Sequence, residues 1–359
     1  MPSSSYHGLI LAGGRGTRFW PRSRRFRPKQ LLPFLSERSL LQETVERLRP
    51  VIPPERLWIL TNEDLRGAVR RQLPDVPARQ VLAEPAARNT APAIGLAAQV
   101  VHSVDPDAVL GVFPSDHYIG KPSLYRRIVR RALRAAGNGG LGVLGITPRW
   151  PETGYGYIEF PKGTVAGGLE PVPVRRFREK PDLKTAKRFL AAGRFYWNAG
   201  MFFWRADVIL EQLRRHLPKT SSLLASLPPF GQRGFADALA AAFPKVEEIS
   251  IDYAVLEKSG NVFGIPAPEI GWNDLGSWNA VYELISEING ANVSTADLMA
   301  VDSAGNYVDA RGKLVALLGV RDLVVVDTED AILVADRGQA QRVGEIVRRL
   351  AAENRKHLV

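Results

Sequence analysis

Along the first 150 residues, short apolar runs alternate with stretches in which apolar side chains recur every three or four positions. The runs HGLILA, LWILTN, VLAEP, AVLGVFPSD and LGVLGIT are nearly continuous in large aliphatic residues. Such runs read as strands buried on both faces, the pattern of parallel sheet covered by helices. Between them lie the periodic segments 40–48, 65–73, 91–104 and 124–135, which predict amphipathic helices. The alternation predicts an α/β core, a doubly wound and mostly parallel sheet with helices on both faces.

After Thr147 the pattern changes to aromatic-rich extended stretches, YGYIEF, VRRFREKP and NAGMFFWRA, interrupted by predicted helices near 183–192 and 207–216. These strands are expected to extend the sheet and wall off one side of a cleft. From about Ile288 onward, LMAVDSAGNYVDA, KLVALLGV, DLVVVDT and AILVADRG form short β segments separated by Gly and Asp turns, with a final helix over about 339–353. Short strands at close spacing predict a small all-β, β-helix-like module. The expected division is a large α/β domain over 1–287 and a C-terminal module over 288–359, the module serving subunit contact or packing on the larger domain.

A length of 359 residues suits that division, and 45% apolar with 24% charged residues is ordinary for a globular chain, which excludes a mainly disordered or fibrous one. The 48 Lys and Arg against 37 Asp and Glu leave a net charge of +11, which favours anionic partners without naming them. The basic residues are not interleaved with aromatics along one stretch, so no specific nucleic-acid partner is expected. The absence of cysteine excludes disulfides, thiol nucleophiles and thiolate metal sites. The five histidines are scattered, and His117 reads as a hydrogen-bonded neighbour of Asp116 rather than as a ligand. The start, MPSSSYHGLILAGG, has no basic region before its apolar run, and no segment reaches the roughly 18 apolar residues of a membrane span. A cytoplasmic protein with no membrane partner is expected.

Candidate chemistry begins where the strand over 7–12 runs into Gly13-Gly14-Arg15-Gly16-Thr17-Arg18. Glycines after a strand allow close approach to a polyphosphate, and the N–H groups of such a loop form an anion-binding concavity. The spacing matches neither G-x-G-x-x-G nor G-x-x-x-x-G-K-[ST], so the dinucleotide and Walker readings fail. Trp20-Pro21, four arginines between Arg22 and Arg27, and Pro28-Lys29-Gln30 follow, placing a restricted lysine within reach of a phosphate. Glu84 closes a predicted strand, and its carboxylate suits the two donors on the N1–H and N2 edge of guanine. Asn89 and Thr90 open the next helix, as caps or as ligands. Asp116 follows a strand at the carboxyl end of the sheet, where open α/β folds place ligands. Asp274, in Trp272-Asn273-Asp274-Leu275-Gly276-Ser277-Trp278, is a candidate partner that the resemblance described below raises, and two carboxylates suffice for Mg²⁺.

The stretch LAGGRGTRFWPRSRRFRPKQLLPF resembles the sugar-nucleotide pyrophosphorylases, and within them the guanylyltransferases acting on mannose 1-phosphate. E-P-x-x-R-N-T-A-P-A-I, P-S-D-H, T-G-Y-G-Y-I, F-x-E-K-P, W-N-A-G-M-F, S-I-D-Y-A and W-N-D-L-G-S-W carry the same resemblance from about Leu9 to Trp278. It implies nucleotide contacts from Leu11, Ala12, Gly13, Gly14, Gly16, Thr17, Glu84, Asn89 and Thr90. Arg18, Lys29, Asp116 and Asp274 would be catalytic, the two aspartates on Mg²⁺. Gly156, Glu179, Lys180, Asn198 and Gly200 would hold the sugar phosphate. The implied reaction joins GTP and mannose 1-phosphate into GDP-mannose and pyrophosphate; separately, the C-terminal module as a subunit contact leads to the expectation of a homo-oligomer, with a dimer favoured. Two rivals stay open: another hexose 1-phosphate or nucleotide, and a non-catalytic regulatory relative.

Overall fold

The computed structural model describes residues 5–286 and 290–359. Two compact units emerge. The first takes residues up to Gly13, Val45–Pro114 and Ile119–Trp272; the second takes Gly14–Thr44, Ser115–Tyr118 and Asn273–Val359. These units cut across the expected division into 1–287 and 288–359, whose boundary itself lies outside the described residues.

The sheet of the first unit is built from β1 (Tyr6–Leu11), β2 (Leu57–Asn62), β3 (Val81–Glu84) and β4 (Val109–Pro114), then, past the two-residue strand β5 (Tyr118–Ile119), from β6 (Leu141–Ile146) through β7 (Tyr157–Glu159), β8 (Val172–Pro173), β9 (Arg176–Arg178), β10 (Phe195–Arg205) and β11 (Val262–Pro266). The strand order is β3-β2-β1-β4-β10-β6-β11-β8, with β7 and β9 continuing from β10. Pairings among β1 to β4 are parallel, as is β6 with β11. β1 has β2 on one side and β4 on the other, so the winding reverses there. Ligands of open α/β sheets collect beyond the carboxyl ends of strands at such a reversal.

The predicted helices form at Leu40–Leu48, Glu63–Gln72, Thr90–Val104 and Pro122–Ala136. Their starts follow local chemistry: Asn62 accepts from the Leu65 N–H at 3.0 Å and Asp182 from Thr185 at 2.8 Å, each capping its helix. One expectation needs correction. The stretch containing NAGMFFWRA does not merely extend the sheet; as β10 it runs antiparallel between β4 and β6, in the middle of it. Its sequence FYWNAGMFFWR is apolar on both faces and buried along most of its length, as a central strand must be. No helix among the described residues is long and apolar enough to cross a membrane.

In the second unit, past the short strand β12 (Trp272–Asn273) at its edge, β13 (Val293–Ser294), β15 (Tyr307–Asp309), β17 (Leu323–Asp327) and β18 (Ile332–Asp336) form one sheet, and β14 (Asp297–Val301) and β16 (Leu314–Leu318) another. Consecutive strands alternate between the sheets from β13 to β17, and successive rungs pair in parallel, the coil of a β-helix. A 3₁₀ segment, Arg337–Arg342, precedes the final helix Val343–Ala352. The core of this unit contains Phe19 and Trp20 together with Trp278, Tyr282, Tyr307, Val324, Val326 and Leu350. Trp20 Nε1 donates to the Leu358 carbonyl at 2.8 Å and Trp278 Nε1 to the Trp20 carbonyl at 3.1 Å, so both buried indoles are satisfied. The segment after the glycine loop is therefore anchored by side chains from the last 90 residues.

Candidate active site

The candidate residues fall into two groups. Gly14, Gly16, Thr17, Arg18, Lys29, Asp116 and Asp274 belong to the second unit, and the remainder to the first.

In the second unit the two halves of the N-terminal motif lock together. Gly16 has φ +58°, and a Cβ there would lie 2.4 Å from Lys29 Cβ and 2.9 Å from Lys29 N, so only glycine fits. Gln30 Nε2 donates to the Gly14 carbonyl and Ser23 Oγ to the Gly16 carbonyl, both at 2.8 Å. Pro28, extended at ψ 170°, leads into the 3₁₀ turn Lys29–Leu31. The Lys29 ammonium is buried, donating to Asp116 Oδ2 at 2.8 Å and to the Asp274 carbonyl at 2.6 Å. Burial works against ionisation of Asp116, but the charges of Lys29 and His117 and the hydrogen bond from Lys29 outweigh it and hold the carboxyl below its ordinary value. His117 Nε2 lies 3.9 Å from Asp116 Oδ1, an electrostatic neighbour. Arg18 is exposed and donates to Gln341 Oε1 at 2.8 Å. A side chain at Gly276 would come within 3.1 Å of Asp274 Oδ2 and 3.6 Å of Arg18 Nη1, so glycine there leaves space beside both charged groups. Thr17 lies beside Gly344, at the start of the final helix.

In the first unit, Leu11 ends β1, and Ala12 is pinned by its N–H to the Leu60 carbonyl at 2.7 Å and by its carbonyl to Thr61 Oγ1 at 3.2 Å. Glu84 ends β3, its Oε1 3.8 Å from where a Cβ on Gly13 would stand. Burial pushes the Glu84 carboxyl up to about 8. Asn89, at φ 65°, caps the helix Thr90–Val104 by accepting from the Thr90 N–H at 2.8 Å. Thr90 Oγ1 accepts from the Ile251 N–H at 2.9 Å, tying that helix to the segment before Asp252.

The expected sugar residues converge within the same unit. Asn198 receives the Gly200 N–H at 3.1 Å, donates its own N–H to the Gly156 carbonyl at 2.8 Å, and passes Nδ2 to Asp252 Oδ1 at 2.9 Å. Gly200 has φ +66° where the β10 register shifts against β6, which is why this strand presents Asn198. Lys180 donates to Glu179 Oε1, while the buried Glu179 Oε2 has no hydrogen-bond partner. A Cβ on Gly156 would fall 2.3 Å from that Oε2, so a side chain there would overlap the carboxylate. Asp252 completes the cluster, a residue that sequence reasoning does not single out: burial, with Glu179 nearby, pushes its carboxyl up to about 7. The S-I-D-Y-A stretch is its only sequence signal.

A doubly wound sheet with a glycine-rich loop after β1 and a buried lysine beside an aspartate has the attributes of an enzyme handling nucleotide phosphates. Residues 7–290 match the Nucleotidyl transferase family model, and 297–350 match the MannoseP isomerase/GMP-like beta-helix domain. The class is thus that of the nucleotidyl transferases. A putative mannose-1-phosphate guanylyltransferase of Vibrio cholerae is 40% identical over 97% of this chain and 75% of its own length. The mannose-1-phosphate guanylyltransferase of Escherichia coli is 37% identical over 99% of this chain and 75% of its own. A solved Thermus thermophilus structure, described as a mannose-1-phosphate geranyltransferase, superposes with a TM-score of 0.85 at 36% identity, covering 97% of this chain and 99% of that one. The chain belongs to the mannose-1-phosphate guanylyltransferase family.

Proposed function

We propose that this chain transfers GMP from GTP to mannose 1-phosphate, giving GDP-mannose and pyrophosphate. The observation that carries the reading is the buried Lys29 ammonium, locked beneath the glycine loop and held by Asp116 and the Asp274 carbonyl. In the proposed reaction an oxygen of mannose 1-phosphate attacks the α-phosphorus of GTP in line with the departing pyrophosphate. No protein nucleophile is required, and no general base either, because a phosphate monoester with a second pKa of about 6 is largely dianionic at neutral pH. Lys29 and Arg18 stabilise charge on the departing pyrophosphate and the α-phosphate, while Lys180 holds the incoming phosphate. Glu84 selects guanine, and Leu11, Ala12, Gly13, Gly14, Gly16, Thr17, Asn89 and Thr90 line the nucleotide. Glu179 and Asn198 accept sugar hydroxyls, with Gly156 and Gly200 allowing the ring to approach.

Mg²⁺ is the cation this donor set suits. Asp116 and Asp274 offer hard carboxylate oxygens, which suit an ion that takes one or two protein carboxylates and keeps phosphate oxygens and waters as its other ligands. When bound, such an ion supplies charge neutralisation between two anionic reactants. The proposed assembly is a homo-oligomer, a dimer in the simplest case. Met299, Val301, Leu314 and Leu318 stand exposed on one face of the β14–β16 pair, an apolar face suited to a second subunit. The proposed setting is the cytoplasm.

The test is pyrophosphate release with Mg²⁺, crossing GTP, ATP, UTP and dTTP with mannose 1-phosphate and glucose 1-phosphate. Release confined to GTP with mannose 1-phosphate is expected. A different winning pair overturns the guanine or mannose assignment, and silence from folded protein favours the regulatory relative, a reading that the joint presence of Lys29, Asp116 and Asp274 argues against.

A further inference from the structure

A cleft of about 550 Å³ within the second unit, separate from Lys29, is lined by five cations, Arg22, Arg24, Arg27, Arg311 and Lys313, against the carboxylates Asp327, Glu329 and Asp330. Its volume lies in the range of small-molecule sites. Two independent features give it the form of a binding site.

The first is how the cations are held. Arg24 and Arg27 exchange backbone hydrogen bonds at 3.0 Å in an isolated antiparallel bridge, and paired residues project to one face. Arg24 is steadied by Asp330 at 2.8 Å and Arg22 by Asp309 on β15. Arg27 and Arg311, by contrast, carry no ion pair among the described residues. Lys313 and Arg311 come from the β module, so positive charge faces the cleft from both the loop and the module.

The second feature is a carboxylate left half satisfied. Asp327 is 10% exposed; its Oδ2 accepts from Lys313 at 2.8 Å, while its Oδ1 is buried with no hydrogen-bond partner. Anion binding alone gives that oxygen nothing, since it needs a donor. Asp327 lines the cleft, so a ligand that brings phosphate to the arginines and a hydroxyl to that carboxylate complements both charges.

We propose that this cleft binds a phosphate ester carrying free hydroxyls, a sugar phosphate in its simplest form. The charge on two walls favours a ligand with two phosphate groups. Nothing in the reaction above uses these residues, so the site stands apart from the transfer chemistry.

Calorimetric titration of the full chain with glucose 1,6-bisphosphate and, separately, with inorganic phosphate tests it. Each is run on the wild type, on Lys180→Ala to remove the proposed clamp on sugar phosphates, and on Lys180→Ala combined with Arg27→Ala and Arg311→Ala. Binding of the bisphosphate that persists in Lys180→Ala and weakens at least tenfold in the triple variant supports the site. Both arginines are exposed, so the fold is retained, checked by an unchanged Tm. Asp327→Asn is expected to weaken the bisphosphate severalfold and leave inorganic phosphate unaffected. Absence of binding in Lys180→Ala, equal binding in the triple variant, or inorganic phosphate binding as tightly as the bisphosphate overturns the proposal. Pyrophosphate release assays on the Arg27→Ala and Arg311→Ala variants separate this outcome from failure of the transferase reading, because neither arginine belongs to that site.

Discussion

Lys29–Asp116 and Lys180–Glu179 are both lysine–carboxylate pairs, yet they are built with opposite partners inside. In the first the lysine side chain is 7% exposed and the aspartate 37%; in the second the lysine is 55% exposed and the glutamate 7%. A charge that is desolvated and still ionised must be compensated by neighbours fixed in advance. The second unit therefore keeps a cation in reserve, and the first keeps an anion. That division suits their proposed ligands, since developing negative charge on pyrophosphate calls for a preorganised ammonium, and sugar hydroxyls call for a preorganised acceptor. Glu179 Oε2 is buried and has no hydrogen-bond partner, in keeping with the acceptor role proposed for this carboxylate.

The comparison breaks most sharply at Lys29. Lys29→Ala is expected to lower kcat by a few hundredfold or more, about 3–4 kcal/mol, as for loss of one preorganised charge contact. Asp116→Ala should act on a similar scale, because it removes both the proposed metal ligand and the partner that positions the ammonium. Circular dichroism on the same samples checks that the fold is retained. Near-normal turnover of either variant would remove that residue from the chemistry.

Gly16→Ala sharpens the point without touching any charge. The added methyl meets Lys29 Cβ and backbone at φ +58°, so either the glycine loop or Lys29 must move. Strain of this kind costs more than about 1 kcal/mol, and an ångström of misplacement at a reacting centre costs as much as a hundredfold. A fall in kcat exceeding tenfold, with a lower Tm, is expected; kcat equal to wild type would uncouple the loop from Lys29.

On the other side of the comparison, Glu179→Gln keeps the shape and removes the charge. The expected result is a KM for mannose 1-phosphate raised roughly ten- to a hundredfold, in keeping with about 1.5–3 kcal/mol for a hydrogen bond to a charged group. The KM for GTP should be nearly unchanged. Equal rises in both would mean that Glu179 supports the fold rather than the sugar.

Much of this is legible in the chain because the chemistry is local. The glycine loop, Pro28-Lys29-Gln30, Glu179-Lys180 and Asn198 are short segments whose residue types mark them as candidates, and the alternation of runs predicts the parallel core. Long-range packing is not legible. Phe19 and Trp20 read as ordinary apolar residues, but they complete a core with Tyr307 and Val324, nearly 300 residues away. Periodicity reports which face is buried, not which distant segment covers it. For the same reason the final module reads as an appendage, though it supplies the packing beneath the glycine-loop segment. Asp252 escapes notice as a site residue because the S-I-D-Y-A stretch does not say what it faces until Asn198, 54 positions earlier, donates to it. The central place of β10 is hidden likewise, since strand order is set by tertiary pairing.

The smallest expected effect is a pH dependence at Glu84. Its carboxyl titrates at about 8 in the folded chain because it is desolvated, against an ordinary value of 4.5. Between these values the folded state holds a proton that the unfolded state has lost, so this group's contribution to stability is full below pH 4.5, declines as pH rises, and is gone above 8. Guanine changes the balance. Its N1–H and N2–H groups both donate, and only the ionised carboxylate accepts both, so the proposed contact requires Glu84 to release its proton. GTP affinity should therefore rise with pH, by at most tenfold per unit, and level off above about 8. ATP shares the phosphates and their titration but not the guanine edge, so the ratio of the two affinities between about pH 6.5 and 8.5 isolates Glu84. Glu84→Gln should flatten that ratio and also remove the loss of stability between pH 4.5 and 8. An unchanged slope in Glu84→Gln would transfer base selection to another residue, while leaving intact the contrast between the buried cation at Lys29 and the buried anion at Glu179.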